Sequence, residues 1–271
     1  MPYRLLLLCF CICSCMSLQK RVQIAEAQLL ELQNSSENFK QVIHIPDAVF
    51  TLVHIQQTHY SAIYQKNLLN NLPSFSTDQR LRAQEAYFSL INEINSQQKQ
   101  VIDFCLRNRT FVDCLYVEGL SYPGTYKNQN FESQIVPSLK GVKEILNYEK
   151  QDFTIPSPPY FTGASLFLYH KHQFPVTGVE HTGLLRFTHK LYSGEQKIDG
   201  NLSGYIKEAH EEREKFMIEY MARNLAFNNK YDSSIKFLLC GEAHDFKNNI
   251  IEWNQLNPDR QFNLFIWTPS P

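Results

Sequence analysis

Short apolar runs alternate with longer amphipathic stretches along most of this chain. The runs are rich in β-branched and aromatic residues and end at polar residues, a pattern typical of buried strands. The stretches between them carry apolar residues at helical spacing, which predicts helices packed on the strands. Strands are predicted at about Val49–Gln56, Phe111–Val117, Phe174–Val179, Ile235–Cys240 and Phe262–Trp267. Helices are predicted at about Lys20–Gln33, from an N-cap within Ser74–Asp78 to Leu106, and at Val136–Glu149, Tyr205–Phe227 and Ile250–Leu256.

Other segments interrupt this alternation. Ser121–Tyr126 contains a proline followed by a glycine and is predicted to be a turn or loop. The prolines of Pro156–Pro159 predict an irregular segment, because proline lacks the backbone donor of a regular element. Ala164–Tyr169 fits either a short helix or a strand, and Leu184–Gly204 has a mixed pattern that supports no assignment.

The alternation of strands and helices predicts the fold class. Connections long enough to hold crossover helices favour an α/β fold, with a mainly parallel central sheet covered by helices on both faces. A chain of 271 residues suits one large domain of this kind. We therefore expect a signal segment at 1–18, an N-terminal helical lead-in at 19–48 and a single α/β domain at 49–271.

The N-terminal segment predicts export. Arg4 precedes the apolar run Leu5–Cys15, which is too short for a spanning helix and typical of a secretory signal. Ile12–Cys15 also resembles a bacterial lipobox, in which Cys15 would carry a lipid and anchor the protein to a membrane. A plainly cleaved signal and an uncleaved anchor are the alternatives.

Outside this segment the cysteines are Cys105, Cys114 and Cys240, and a Cys105–Cys114 disulfide is an option that the pattern does not favour.

The composition sets limits on the partners. The chain is 43% hydrophobic and has a formal net charge of −1. No basic stripe accompanies this balance, so the sequence offers no electrostatic case for nucleic acid. A small molecule or a peptide is the expected substrate class.

Ionisable residues stand at the ends of most predicted strands. His59 follows the first strand and Glu118 the second, and the third and fourth strands lead into the pairs Glu180-His181 and Glu242 with His244. Because the carboxyl ends of parallel strands lie at one edge of a sheet, these side chains should converge on one crevice.

The order of these motifs resembles a known superfamily. A strand leads into Gln56-Gln57-Thr58-His59, a later strand ends in Glu-Gly, a helix contains Arg213-Glu214-Lys215-Phe216-Met217, and another strand leads into Gly241-Glu242-Ala243-His244. Over about Val49–Thr268 this order resembles the superfamily of TraB/Tiki proteins, erythromycin esterases and ChaN-like haem-binding lipoproteins. The resemblance implies an erythromycin esterase/ChaN-like (EreA/ChaN-like) fold and a shared pocket. The matching pocket positions are His59, Glu118, Glu180, Arg213 and His244.

One motif departs from that superfamily. Its first histidine motif usually opens with Gly-Glu, and Gln56-Gln57 replaces that pair here. A glutamine is neither a carboxylate base nor a charged metal ligand, so chemistry that rests on that glutamate is in question. Gln57, His181 and Glu242 are expected as further pocket residues.

The predicted activity is hydrolysis of an ester or peptide bond. One of His59 and His244 would activate water, and Arg213 would stabilise an oxyanion or bind a substrate carboxylate. The carboxylates would either orient the histidines without a metal or help to hold a divalent zinc or manganese ion. The predicted metal ligands are His59, Glu118, Glu180 and His244.

Two other functions remain open from the sequence. A haem- or iron-binding surface lipoprotein without catalysis is the first, and a member that keeps the fold and binds a partner is the second.

His170 and His172 could bind a metal or haem iron, although a solvated loop is the commoner explanation for such a pair. His210-Glu211-Glu212 lacks the second histidine of a zinc-protease motif. For Arg213, a solvated charge network with Glu212 and Glu214 is the ordinary alternative.

Overall fold

A computed structural model describes most of the chain. The described residues are 26–34, 38–58, 62–122, 124–128, 131–146, 158–197, 200–227 and 234–270. The predicted signal segment and His59 lie outside them.

The described residues form an α/β fold around a six-stranded sheet. Its strands are β1 (Phe39–Ile43), β2 (Phe50–Gln57), β3 (Leu115–Ser121), β4 (Val176–Glu180), β5 (Ile235–Gly241) and β6 (Phe262–Trp267). The helices are α1 (26–34), α2 (Ala62–Asn71), α3 (Thr77–Arg107), α4 (Phe131–Leu146), α5 (Pro158–His172), α6 (Thr182–Ser193), α7 (Leu202–Phe227) and α8 (Lys247–Leu256).

The sheet is mostly parallel. Its strand order is β1-β6-β2-β5-β3-β4, and only the pair of β1 with β6 is antiparallel among the described strands. In the parallel pair of β2 and β5, Gln57 lies beside Gly241, so both strands end at the same edge. The predicted mainly parallel α/β sheet is therefore confirmed.

Side chains alternate between two apolar layers on the two faces of the sheet. Val53, Ile55 and Phe237 belong to the layer that includes residues of α3 and α5. Leu52 and Leu238 belong to the layer that includes residues of α7 and α8. Because successive residues of a strand point to opposite faces, the even-numbered positions of β2, β3 and β5 face α7.

The long helix α3 begins where its capping chemistry predicts. Ser76 is the N-cap residue, its Oγ accepts from the Gln79 amide at 3.4 Å, and Gln79 Oε1 accepts from the Ser76 amide at 2.9 Å. This reciprocal pair satisfies two amides that the first turn leaves without helical partners. The prediction of this helix is confirmed.

Several elements differ from the sequence predictions. Phe39–Ile43 forms the edge strand β1 within the predicted helical lead-in, because pairing with β6 outweighs its mixed, half-exposed pattern. Pro158 and Pro159 were expected in an irregular segment but begin α5, whose first turn tolerates residues without a backbone donor. Helices α2 and α6 were not predicted, and Ala164–Tyr169 is helical.

Two findings concern the membrane and the thiols. No helix in the described part of the chain is long and apolar enough to cross a membrane. Cys105, Cys114 and Cys240 are buried and free, so the Cys105–Cys114 disulfide does not form.

Candidate functional site

A buried network of charged side chains lies at the carboxyl edge of the sheet. It joins Glu118 of β3, Glu180 at the end of β4, Arg213 and Glu214 of α7, and His244 from the turn after β5. The structure thus brings together four of the five residues on the predicted pocket positions and adds Glu214.

Arg213 connects two strands through its guanidinium group. Its Nε donates to Glu180 Oε2 at 3.0 Å, and its Nη2 donates to Glu118 Oε1 at 3.0 Å and also to Glu180 Oε1. Glu180 is fully buried and accepts a further bond from the Gly119 amide at 3.3 Å. Burial alone would lower the pKa of Arg213, but the bonds to Glu180 and Glu118 raise it. The solvated charge network predicted as the alternative for Arg213 is therefore wrong.

His244 is held between two carboxylates. Its Nδ1 lies 2.9 Å from Glu214 Oε1, and its Nε2 lies 3.0 Å from Glu118 Oε1. Burial opposes a charge on the ring, but the hydrogen bonds to Glu118 and Glu214 raise the pKa of His244 to about 9. At neutral pH the ring is therefore an imidazolium that donates from both nitrogens.

Glu118 occupies the centre of the network. Its Oε1 accepts from both Arg213 and His244, while its Oε2 accepts from the Gly241 amide at 2.7 Å and from Cys240 Sγ at 3.3 Å. The register of β3 and β4 shifts just beyond Val117, so Glu118 lies at a bulge. Its side chain is 16% exposed, the most in the network, whereas that of His244 is 2% exposed. Glu118 is thus the most exposed member of the network.

Glu214 is oriented by two hydrogen bonds from residues that follow His244 in the chain. Its Oε1 accepts from the Asp245 amide at 3.2 Å, and its Oε2 accepts from Asn249 Nδ2 at 2.7 Å. These bonds fix the carboxylate that holds Nδ1 of His244. A residue from the start of α8 therefore supports the network although it does not touch the ring.

Two further histidines surround His244. His54 of β2 is buried with its ring 5.1 Å from Phe246, and burial together with the charge on His244 lowers its pKa to about 4. His210 of α7 has its ring 4.9 Å from that of His244, and burial and the same charge lower its pKa to about 4. Both rings are therefore neutral at neutral pH.

Sequence reasoning missed Glu214, His210 and His54 as site residues. The sequence could have indicated Glu214 and His210, because positions 210, 213 and 214 share one face of a helix at spacings of three and four residues. His54 was harder to predict, because the only indication was a histidine inside an apolar strand; the alternation of β2 places it on the α7 face.

A polar cavity of about 450 Å³ opens beside this network. It lies between α7, the turn after β5 and α8. Its lining includes the polar residues Lys207, His210, Glu211, Glu214, Asp245 and Asn249. A substrate in this cavity would meet His210 and Glu214 directly.

The remaining predicted pocket residues are not in the network. Gln57 is buried in β2, but alternation places it on the opposite face of the sheet. His181 is exposed and caps α6, with its Nδ1 accepting from the Leu184 amide at 3.4 Å. Glu242 is exposed in the turn before His244. These three residues therefore lie outside the charged network, and His59 lies outside the described residues.

The donor set fits a divalent metal poorly. Among the described residues, Glu118, Cys240 and His244 bring donor atoms within 4.8 Å of one another. Burial, and then the charge of Glu118, raise the pKa of Cys240 well above its ordinary range, whereas a metal binds the thiolate. A cation there would also face the Arg213 guanidinium and would have to displace the proton of His244. The predicted ligand Glu180 is likewise bound by Arg213 through both of its oxygens.

Comparisons with protein-family models, curated proteins and solved structures found no match to this chain.

Proposed function

We propose that this protein is an exported hydrolase that cleaves an ester or peptide bond without a metal. The observation that carries the proposal is His244, a buried imidazolium held between Glu118 and Glu214 beside a polar cavity. Its agreement with the pocket positions of the TraB/Tiki, erythromycin esterase and ChaN-like superfamily adds support. Export rests on the apolar run Leu5–Cys15, which is outside the described residues.

The cations of the network suit the charge that develops during hydrolysis. Arg213 and His244 both donate to the same oxygen of Glu118, so two positive groups point at one position near the exposed end of the network. Both groups are buried and bound to carboxylates, so they stabilise negative charge that forms on a substrate in the cavity through their electric field and not by direct hydrogen bonds.

The network also supplies a proton. The hydrogen bond between His244 Nδ1 and Glu214 contains one proton that either residue can hold, and Glu214 lines the cavity. When the bond to the leaving group breaks, Glu214 can deliver this proton to the departing oxygen or nitrogen, and His244 then replaces it. Glu118 keeps the ring oriented during this exchange through its bond to Nε2.

The alternative of haem or iron binding has less support from the structure. His170 and His172 lie in the last turn of α5. This turn precedes β4, which places both histidines toward the amino edge of the sheet, opposite the network.

The alternative of a member that only binds a partner rested on Gln56-Gln57. In the structure Gln56 has a structural role, because its Oε1 accepts a hydrogen bond from Thr268 Oγ1 at 2.8 Å.

The proposal is tested on the chain from Ser17 onward. Elemental analysis and an absorbance spectrum come first, followed by hydrolysis of a panel of chromogenic esters and fluorogenic peptides. We expect His244→Gln and Glu214→Gln each to lower kcat/KM by roughly 10²–10⁴-fold, the usual contribution of a proton-transfer group. Glu242→Gln is the matched control, because Glu242 is an exposed carboxylate two residues from His244 and should leave the rate unchanged.

The outcomes separate the candidate functions. A stoichiometric metal that is lost in His244→Gln would contradict the metal-free mechanism. A haem band would favour the binding function. Full activity of folded Glu214→Gln, or no cleavage of any substrate by the unaltered chain, would refute the hydrolase proposal.

A further inference from the structure

His210 is a histidine of the cavity that the proposed proton donor does not use. It lies one helical turn before Arg213 and Glu214, and its ring lines the polar cavity next to the ring of His244. Hydrolysis needs a group that takes a proton from water, and His244 does not suit this role because both of its nitrogens already donate to carboxylates. The site therefore needs a base from elsewhere.

The hydrogen bonding of His210 leaves one ring nitrogen available. Tyr192 Oη lies 2.8 Å from Nε2 of His210, and the two rings meet edge to face. Its Nδ1 has no hydrogen-bond partner among the residues that the structure describes. If Nε2–H donates to Tyr192, the lone pair of Nδ1 is free to accept a proton.

We propose that His210, oriented by Tyr192, is the general base that activates water in this cavity. This assignment rests on the hydrolase proposed above. Nδ1 takes a proton from water as its oxygen bonds to the substrate carbonyl carbon. The bond to the leaving group then breaks, and the leaving group takes the proton shared by His244 and Glu214, which lines the same cavity. His210 afterwards returns its proton to the network or to solvent, so the protons balance.

The charges around His210 support this division of roles. His210 stays neutral beside a cationic His244, so the two rings have opposite protonation states at the same pH. Such a difference between neighbouring titratable groups is typical of acid and base pairs in enzymes. The titratable and charged groups around His210 are Tyr192 of α6, Glu118 of β3, His244 of the turn after β5, Arg213 and Glu214 of α7, and Lys207, Glu211 and Asp245 of the cavity wall.

The first test needs no substrate. Nitrogen-15 nuclear magnetic resonance of the histidine rings, on the chain from Ser17 onward, should show His210 at pH 7 as a neutral ring protonated at Nε2. The resonance is assigned with His210→Gln, and Tyr192→Phe should weaken the preference for this tautomer. A charged His210 at pH 7, or a ring protonated at Nδ1 instead, would overturn the assignment whether or not a substrate is known.

The second test uses an ester that the unaltered chain cleaves. His210→Gln should lower kcat by roughly 10²–10⁴-fold with little change in KM. Tyr192→Phe should lower it by about fivefold to tenfold, the value of one hydrogen bond. The matched controls are His189→Gln on the exposed face of α6 and Tyr205→Phe at the exposed start of α7, and both should keep full activity. Unchanged kcat in folded His210→Gln would refute the assignment and leave the hydrolase proposal intact.

Discussion

Of the three histidines in the site, one is charged and two are neutral because their burial and their partners differ. His244 has a carboxylate at each nitrogen and is held as a cation, whereas His54 has an Nε2 without a hydrogen-bond partner among the described residues. His210 is hydrogen-bonded to the Tyr192 hydroxyl, and burial together with the neighbouring cation of His244 lowers its pKa. The protonation state of each ring is therefore set by its burial and its neighbours, and not by the residue type alone.

The buried arginine provides a sharp stability prediction. Arg213→Gln removes the partner of Glu180, which is fully buried, and should lower the free energy of unfolding by about 3–5 kcal/mol. Arg223→Gln on the same helix is the matched control. Its pair with Glu219 is exposed, and its loss should cost about 0.5 kcal/mol or less. Urea unfolding followed by circular dichroism measures both values.

A second variant separates the charge from the packing. Arg213→Gln combined with Glu180→Gln removes the uncompensated carboxylate and should recover part of the lost stability. Equal costs for Arg213→Gln and Arg223→Gln would show that Arg213 is not a buried ion-pair partner.

At the scale of elements, α7 assembles the site. Arg213 and Glu214 are adjacent in sequence, yet Arg213 bonds to β3 and β4 while Glu214 bonds to the turn after β5. His210 lies on the same side one turn earlier. A single helix thus positions three side chains against the ends of three strands, and its regular geometry keeps their spacing.

The capping of α3 yields a prediction at this scale. Ser76→Ala removes the oxygen that accepts from the Gln79 amide and should lower the free energy of unfolding by about 1 kcal/mol. Ser96→Ala is the matched control within the same helix. Ser96 is exposed, and alanine is the better helix former there, so stability should stay equal or rise by about 0.5 kcal/mol. Thermal or urea unfolding of both variants decides, and a loss of similar size in both would contradict the cap.

For the whole molecule, the histidines predict how stability depends on pH. The pKa of His244 is raised from 6.5 to about 9 in the folded state, so its stabilisation is fully present below pH 6.5 and is lost as pH rises through about 9. The pKa of His54 is lowered to about 4, so stability is lost as pH falls from 6.5 through about 4. Each effect is on the order of 3 kcal/mol, and together they predict a maximum near pH 6.5.

Urea unfolding between pH 4 and pH 9.5 measures this profile. His244→Gln should flatten the alkaline side. His54→Gln should make the acidic side shallower but not flat, because the pKa of His210 is also lowered to about 4 and contributes to the same slope. The exposed His189→Gln should alter neither side. An alkaline slope that persists in His244→Gln would contradict the assignment of the raised pKa to this residue.

Much of the fold follows from local patterns. The strand Phe262–Trp267 was predicted with the bounds that the structure shows, and Ile235–Cys240 and the capped long helix were predicted to within a few residues. The missed edge strand has a physical cause. The edge strand β1 depends on pairing with β6, more than two hundred residues away in the chain, and no local pattern reports such a partner.

The sequence by itself determined the strand-and-helix alternation and the sheet edge on which Glu118, Glu180 and His244 meet, because periodicity and parallel pairing are local and general rules. Only the tertiary structure decided which side chains touch. Gln57 lies on the wrong face and His181 caps a helix, while Glu214, His210 and His54 join or surround the network. The physical reason is that distance, burial and charge are set by neighbours from distant parts of the chain.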